Sequence, residues 1–502
     1  MKTTINITVL LLLLFTATNS MAQSNLLNST LDSARNLRNN GHFDEAVKTL
    51  EAFNAQHPDN TWLLQLYAET LFWLKDYEKA DSVYRRAIEV YPNNFEVKYE
   101  YALFLFDRGN YEETRSLLTL YVENRPDNPG AESMLGIANY YLGNFKDAEN
   151  HLNKSLALNP SDQKTKQVYS EVSHVVKPWI KGSVLYTDDS QPMSQWKPSV
   201  AGGWYQSHFI NLSFAADFRN FSEDSTHSSM AGFTILNHFA FPKAGFNAAV
   251  SAGGFYTFIN KAIDFTWSIQ LDKTFLKNLH LKAGGEHSPY TYTIASIRNP
   301  FLRNRFNFSL SWETTQSWNA DLGYIGEYFP DDNSVQTTYF WFLSPSMKFS
   351  VFSANIGYAF NYADAKESRY VSEQSLQEIV EDYQPDKKIT GVYNPYFTPN
   401  NQFSNSVLAN VYIHPSLSTS IKLHASVGVY ARAMNPYLYL GKKNGNTIIK
   451  EEFYQEKFTP LDLGINFNAD LSESIMLNFS YQYLQTFYYN SNNFEAGLKI
   501  YF

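Results

Sequence analysis

The second half of the chain alternates apolar and polar residues, and this pattern limits its fold more than any other feature. The alternation is cleanest in five segments, at residues 210–218, 264–272, 421–431, 461–470 and 477–483. Because successive side chains of a strand point to opposite faces, each segment predicts a β-strand with one apolar and one polar face. The polar faces carry many Asn, Ser and Gly residues, which suit a hydrated interior better than the outer face of a soluble sheet.

At the carboxy terminus the same alternation runs through Ser491–Phe502. The apolar positions are Phe494, Ala496, Leu498, Ile500 and Phe502. This stretch resembles the closing strand of bacterial outer-membrane barrels, and the resemblance implies that Phe502 closes a barrel. We expect the apolar side chains to face lipid, and Glu495 and Lys499 to face the lumen.

The amino terminus is typical of a secretory signal peptide over residues 1–22. Lys2 supplies a positive charge, Ile5–Phe15 an apolar segment, and Ser20–Ala22 a small-residue cleavage site. We therefore expect the mature protein in the outer membrane of a Gram-negative bacterium. The sequence has no cysteine, which excludes a lipoprotein anchor, disulfides and thiolate metal sites. After residue 22 no apolar run reaches the roughly 18 residues of a membrane-spanning helix, so a helical membrane protein is excluded.

Counting the alternating segments predicts an antiparallel transmembrane β-barrel of about 16 strands over residues 177–502. The expected strand centres are residues 183, 200, 214, 234, 250, 268, 282, 308, 323, 339, 354, 409, 426, 465, 480 and 498. Every second connection is short. The others are mostly longer, notably Ser288–Asn304, Ala363–Phe403 and Asn435–Phe458. Because outer-membrane barrels have short periplasmic turns, we expect the domain that precedes the barrel to lie in the periplasm.

Strand parity assigns a set of charged residues to the lumen. These candidates are Asp217, Arg219, Asp264, Asp272, Lys282, Glu286, Arg305, Glu313, Asp321, Glu327, Lys422, Arg432, Asp462, Asp470, Glu495 and Lys499. Both signs of charge are present, which argues against a strong ion filter and suits a neutral or mixed polymer. Sixteen strands are wide enough for an aqueous channel. The longest connection, with a helix predicted near Ser372–Tyr383 and a capping box at Ser375 and Glu378, either folds inward as a gate or covers the mouth.

A 34-residue period dominates the first half of the chain. Four prolines keep this step, at Pro58, Pro92, Pro126 and Pro160. Aromatic, small and large apolar positions keep it too, in the order that is typical of tetratricopeptide repeats, which are pairs of packed helices. Gly41, Gly109 and Gly143 mark the turns between paired helices, and Lys75 takes that place in the second repeat. We predict an α-solenoid of four repeats plus a capping helix over residues 23–176, and therefore an α + β multidomain protein.

Several aromatic residues of repeats two to four are positioned to reach the concave face of this solenoid. They are Trp62, Phe72, Trp73, Tyr99, Phe106, Tyr140 and Tyr141. One interpretation is a surface that stacks on a sugar chain or an extended peptide, and the other is packing between repeats. Because solenoids bind partners on this face, we expect periplasmic protein partners.

A signal peptide, a tetratricopeptide array and a carboxy-terminal barrel, in that order, resemble the outer-membrane exporters of bacterial exopolysaccharides, of which the cellulose synthase outer-membrane subunit is one. Tyr396–Pro399, which leads through Phe403 into a strand, resembles an aromatic–proline segment of that barrel family. The resemblance implies a porin-like channel for polysaccharide export, with outer-membrane lipid, periplasmic proteins and a polysaccharide as partners. The alternative is a membrane-anchored scaffold that recruits periplasmic proteins without transport.

The sequence contains no motif of a nucleotide-binding loop, a zinc protease or a serine hydrolase. His280 and Glu286 share the inward face of one predicted strand, and His287 is next to it. These residues are either part of the active site of an outer-membrane enzyme that modifies a lipid or a glycan, or lumen-lining or interfacial polar groups. We expect no enzyme activity, cofactor or metal site. The net charge of −9 does not imply a basic surface for nucleic acid, so we expect no nucleic-acid partner.

Overall fold

The computed structural model describes residues 26–58, 60–223, 226–241, 244–275, 278–314, 316–381, 389–416 and 418–502. The predicted signal peptide lies outside these residues. The chain divides into two compact units, which part between Val172 and Ser173. The first unit is helical and the second is a β-barrel, so the predicted fold class is confirmed. Among the described residues, no helix combines the length and the apolar character that crossing a membrane requires.

Nine helices precede the barrel in the described part of the chain. They are 26–39 (α1), Phe43–Asn54 (α2), Thr61–Leu74 (α3), Tyr77–Val90 (α4), Phe95–Asp107 (α5), Tyr111–Asn124 (α6), Pro129–Tyr141 (α7), Phe145–Leu158 (α8) and Gln163–Val176 (α9). Each of the four periodic prolines follows the second helix of a pair, because proline cannot continue a helix. The described chain therefore contains four helix pairs and a further helix after them.

Local sequence explains both ends of these helices. The side chains of Asn60, Asn94 and Asn128 accept hydrogen bonds from the first turns of α3, α5 and α7. Between paired helices the backbone turns through positive φ, at 81° for Gly41 and at 66° for Lys75. Small residues are fully buried where two helices meet, namely Ala46, Ala80, Thr114 and Ala148.

Eighteen strands of the described chain belong to one sheet. They are Trp179–Asp189 (β1), Met193–Ser207 (β2), Ile210–Glu223 (β3), Thr226–Phe241 (β4), Phe246–Thr257 (β5), Ala262–Phe275 (β6), Leu279–Pro289 (β7), Leu302–Glu313 (β8), Asn319–Tyr328 (β9), Ser334–Leu343 (β10), Met347–Lys348 (β11), Phe352–Ala365 (β12), Gln402–Ser416 (β15), Thr419–Lys443 (β16), Asn446–Phe458 (β17), Leu461–Ser472 (β18), Ile475–Gln485 (β19) and Asn490–Tyr501 (β20). The connections contain Ile294–Arg298 (α10), Tyr370–Ser372 (β13), Leu376–Glu381 (α11) and Gly391–Tyr393 (β14).

Sixteen of these described strands form a closed antiparallel ring. β11 pairs only with β12, and β17 pairs only with the distal half of β16. Each of the other sixteen strands pairs with two neighbours of the ring, and β20 closes the ring on β1, where Tyr501 lies opposite Trp179. All sixteen predicted centres fall inside these strands, so the predicted strand number is confirmed.

The two faces of the ring differ as the alternation predicted. One face carries exposed apolar side chains, such as Ile263 (76% exposed), Phe265 (63%) and Ile356 (57%). The other face is polar and more crowded, and both Arg303 and Asp321 are only 6% exposed there. In a closed barrel the crowded face is the inner one, so the apolar rows form an outward surface of the outer-membrane type. Phe494, Leu498 and Phe502 lie on this outer surface and are exposed.

Candidate functional site

The strand register places fifteen of the sixteen lumen candidates on the inner face. In one half of the ring Asp272 lies opposite Lys282, and Glu286 lies opposite Arg305. In the other half Glu495 lies opposite Ser480. Residues that lie directly opposite each other on paired strands share a face of the sheet. The inner face of one strand therefore identifies the inner face of the next strand, all the way around the barrel.

Arg432 is the exception, and a β-bulge is the reason. Between β15 and β16 the register shifts so that Asn405 lies opposite Tyr430 but Ser406 lies opposite Gly428. The extra residue reverses the parity of β16 beyond this point. Arg432 therefore lies on the outer face, opposite Phe403, and donates a hydrogen bond to the Gln455 side chain (3.2 Å). This corrects the expectation that Arg432 lines the lumen.

The two histidines considered for catalysis lie on opposite faces of β7. His280 is on the inner face, where its Nδ1 is 3.1 Å from the Thr274 hydroxyl oxygen. His287 lies opposite Trp267 and contacts Asn304 at 2.9 Å. The structure therefore does not bring them together. Among the described residues, no cluster of His, Asp or Glu has the arrangement of a metal site.

Opposite charges pair along the inner wall. Asp217 and Arg219 are 2.7 Å apart, Lys181 and Glu495 are 3.2 Å apart, and Arg303 and Glu327 are 2.5 Å apart. Both signs of charge therefore line the inner wall, and each of these three pairs is neutral as a unit.

Two long connections fold over the barrel end opposite to Trp179 and Phe502. We call them the lid, and they comprise residues 290–301 between β7 and β8 and residues 366–401 between β12 and β15, of which 382–388 lie outside the described residues. The capping box of Ser375 and Glu378 at the start of α11 is present.

The second lid connection crosses the mouth of the barrel. The backbone N–H of Phe397 donates to the Tyr290 hydroxyl oxygen at 3.2 Å, and the Phe397 ring stacks on Tyr488 with centroids 4.4 Å apart. Tyr290 follows β7, whereas Tyr488 lies between β19 and β20. The two connections leave a ring of sixteen strands eight strands apart, and hence on opposite sides of the barrel. Because Phe397 contacts a side chain of each, connections from opposite sides meet over the opening.

The first lid connection covers the remaining side. Ile297 of α10 packs against side chains of β2, β3, β4 and β5, namely Met193, Phe221, Met230 and Phe255. Arg298 donates to Glu223 at 2.6 Å. The Thr293 hydroxyl donates to the Pro395 carbonyl oxygen at 2.5 Å, which joins the two connections. Together they extend over the mouth from the β2–β5 side to the β19–β20 side.

Three residues, which we call the latch, fasten the second connection to its neighbour. The Tyr396 hydroxyl donates to both carboxylate oxygens of Asp331 at 2.7 Å, and Arg369 Nε donates to the same carboxylate at 2.7 Å. The Tyr396 ring is 1% exposed and stacks on Phe329, with centroids 3.6 Å apart. Burial and the bond to Asp331 raise the pKa of Tyr396, so its hydroxyl stays a neutral donor.

The aromatic candidates of the repeat array divide into exposed and packed residues. Trp62, Trp73 and Tyr141 are exposed, and the other four, Phe72, Tyr99, Phe106 and Tyr140, are half-buried. Tyr141 stacks on Tyr111 of the preceding repeat at 4.4 Å, and Tyr99 stacks on Tyr121 at 4.7 Å. These two residues therefore take part in packing between helices, which was the second of the two interpretations.

Phe72 and Trp73 line a cavity of about 650 Å³ in the first repeats, which we call the acidic groove. Its other lining residues are Arg38, Asn39, Phe43, Glu69, Tyr84, Glu100, Leu103, Phe104 and Asp107. The charged residues of the groove were not predicted from the sequence. The 34-residue period could have indicated part of this groove. Asn39 and Asp107 lie one period before and one period after Trp73, so the three residues occupy the same position in successive repeats.

Comparisons with known proteins bear on each unit separately. A tetratricopeptide-repeat family model matches residues 12–172. No curated protein matches the sequence. Among solved structures, "MamA 41-end from Desulfovibrio magneticus RS-1" is similar at 20% identity with a TM-score of 0.28, over 29% of this chain and 82% of that chain.

A second solved structure, described as "Bacterial polysaccharide outer membrane secretin", is similar at 10% identity with a TM-score of 0.46, over 66% of this chain and 99% of that chain. The chain thus contains tetratricopeptide repeats followed by a sixteen-strand barrel of the outer-membrane type.

Proposed function

We propose that this protein is an outer-membrane channel that exports a polysaccharide and that its lid closes the mouth at rest. The observation that carries the proposal is the combination of a sixteen-strand ring, an apolar outer face and a mouth spanned by Phe397. Rings of this size are wide enough to enclose an aqueous channel, and a lid over the mouth would close that channel.

The inner wall suits a polymer with little net charge. Its ion pairs leave hydroxyl, amide and paired charged groups along the path, which exchange hydrogen bonds with sugar hydroxyls. The proposal also agrees with the resemblance to exopolysaccharide exporters in the order of domains. In this proposal the repeat array lies in the periplasm, because the chain enters β1 at the rim opposite to the long connections.

Planar-bilayer recordings of the purified protein test the proposal. We expect low conductance from the intact protein and a stable open pore after residues 369–396 are replaced by a short Gly-Ser linker. A neutral glucan oligosaccharide added to one side should then reduce the open-pore current in a concentration-dependent manner. Shortening the β16–β17 hairpin by residues 440–449 is the matched control, since it removes a long connection outside the lid.

Two outcomes would overturn the proposal. Absence of ion conduction in a folded barrel that lacks residues 369–396 would favour the scaffold alternative. An open pore that passes ions without block by glucan, mannan or amino-sugar oligosaccharides would indicate a channel for small solutes.

A further inference from the structure

We propose that the acidic groove binds an extended peptide segment of a partner protein, in which a lysine or arginine stands next to an apolar residue. The inference goes beyond the proposed transport, because it concerns the repeat array and does not depend on whether the barrel conducts.

The first argument is uncompensated negative charge. Arg38 is neutralised by Glu69, since Arg38 Nη1 is 2.6 Å from Glu69 Oε2. Glu100 and Asp107 remain in the groove as further carboxylates. Burial, then the nearby carboxylates Glu69 and Glu96, raise the pKa of Glu100 to about 7. A cationic side chain placed beside Glu100 would relieve this repulsion.

The second argument is an aromatic wall on the same groove. Trp73 is 59% exposed, although it is among the largest apolar side chains. It lies parallel to Phe43, with centroids 6.5 Å apart and an interplanar angle of 9°, and it meets the edge of Phe72 at 6.0 Å. Such a face accepts an apolar side chain or the aliphatic stem of a lysine, and it attracts cations through the ring electrons.

The third argument concerns the shape of the occupant. The groove is lined mainly from α1, α3 and α5, the first helices of three successive repeats, with Phe43 of α2 and Tyr84 of α4. Its volume of about 650 Å³ is that of a ligand-binding cleft. An extended peptide presents every second side chain to one wall, so an apolar and a cationic residue can face the groove together. A neutral sugar could stack on Trp73 but would leave Glu100 without a counter-charge.

Fluorescence anisotropy on the full-length protein in lipid nanodiscs tests this proposal. The probe is a fluorescein-labelled octapeptide of alternating leucine and lysine, and the control probe has glutamine in place of lysine. We expect the lysine peptide to bind at least about tenfold more tightly than the glutamine peptide, a difference of about 1.4 kcal/mol. Glu100→Gln and Trp73→Ala should each weaken the lysine peptide by a similar factor.

Two matched controls separate the groove from general effects. Glu123→Gln removes an exposed carboxylate of α6 that does not line the groove, and Trp62→Ala removes a similarly exposed tryptophan (63%) of the same helix as Trp73. Both should bind like the unmodified protein. Circular dichroism of each variant verifies that the helices are intact.

The pH dependence gives a second readout. Arg38, Glu69, Tyr84 and Asp107 also face the groove with Glu100. Lysine stays charged from pH 6 to pH 8, whereas Glu100 ionises across this range, so affinity should rise with pH and the rise should vanish in Glu100→Gln. Equal affinity for all variants would overturn the proposal. Chitosan oligosaccharide binding more tightly than the peptide would also overturn it, in favour of an amino sugar.

Discussion

At the scale of the residue, a single backbone angle sets the turn inside each helical repeat. The φ angles of Gly41, Gly109 and Gly143 are 81°, 74° and 76°, and that of Lys75 is 66°. Left-handed backbone costs a residue with a Cβ about 1–2 kcal/mol, so three repeats use glycine there and the second repeat carries the strain. The sequence predicted all four positions, because the 34-residue period aligns them.

Substitutions at two of these turns should shift stability in opposite directions. A Cβ added at Gly109 meets no atom within 4 Å, so Gly109→Ala isolates the backbone effect and should destabilise the array by about 1 kcal/mol. Lys75→Gly removes the strained side chain and should stabilise it by a smaller amount, because glycine also gains entropy in the unfolded chain. Urea denaturation followed at the helical circular-dichroism band measures both, and shifts of the same sign would contradict the explanation.

At the scale of the element, the lid depends on a small polar contact. Tyr396 and Arg369 of one connection both donate to Asp331 of another, and this carboxylate therefore holds two segments over the mouth. An aromatic layer surrounds the contact, in which Tyr290, Phe301 and Phe329 pack on Tyr396. The alternation of the strands predicted these connections but not their path, since their contacts come from distant loops.

Weakening the latch should open the pore more often. Asp331→Asn removes the negative charge and leaves one acceptor oxygen for two donors, so we expect a higher open fraction in planar bilayers. Asp332→Asn is the matched control, because it makes the same change one residue away. If the two variants show the same open fraction, the latch does not hold the lid.

At the scale of the whole molecule, the ring separates a wet face from a lipid face. Ser199 lies on the inner face opposite Asp217, and its hydroxyl oxygen is 2.8 Å from that of Ser183. Val200, the next residue, is 46% exposed on the outer face.

Cysteine labelling can test this separation directly, because the chain has no native cysteine. In liposomes, Ser199→Cys should react with a charged, water-soluble maleimide, whereas Val200→Cys should be protected by lipid and react only after detergent is added. The opposite order of reactivity would invert the assignment of the two faces.

The sequence by itself determined the periodic features: four helical repeats, sixteen strands, and the faces of nearly every strand. Periods of 34 and of two residues can be read within one repeat or one strand. The pattern of each repeat or strand therefore indicates which of its side chains share a face. The tertiary structure alone decided three things. A bulge in the ladder of β15 and β16 turned Arg432 outward, since register depends on the partner strand. The ring placed the connections of Tyr290 and Tyr488 on opposite sides of the mouth, and the contacts of Phe397 with both residues made its own connection a lid. The stacking of three repeats gathered Arg38, Glu69 and Glu100 into one groove, although each is 31 residues from the next in sequence.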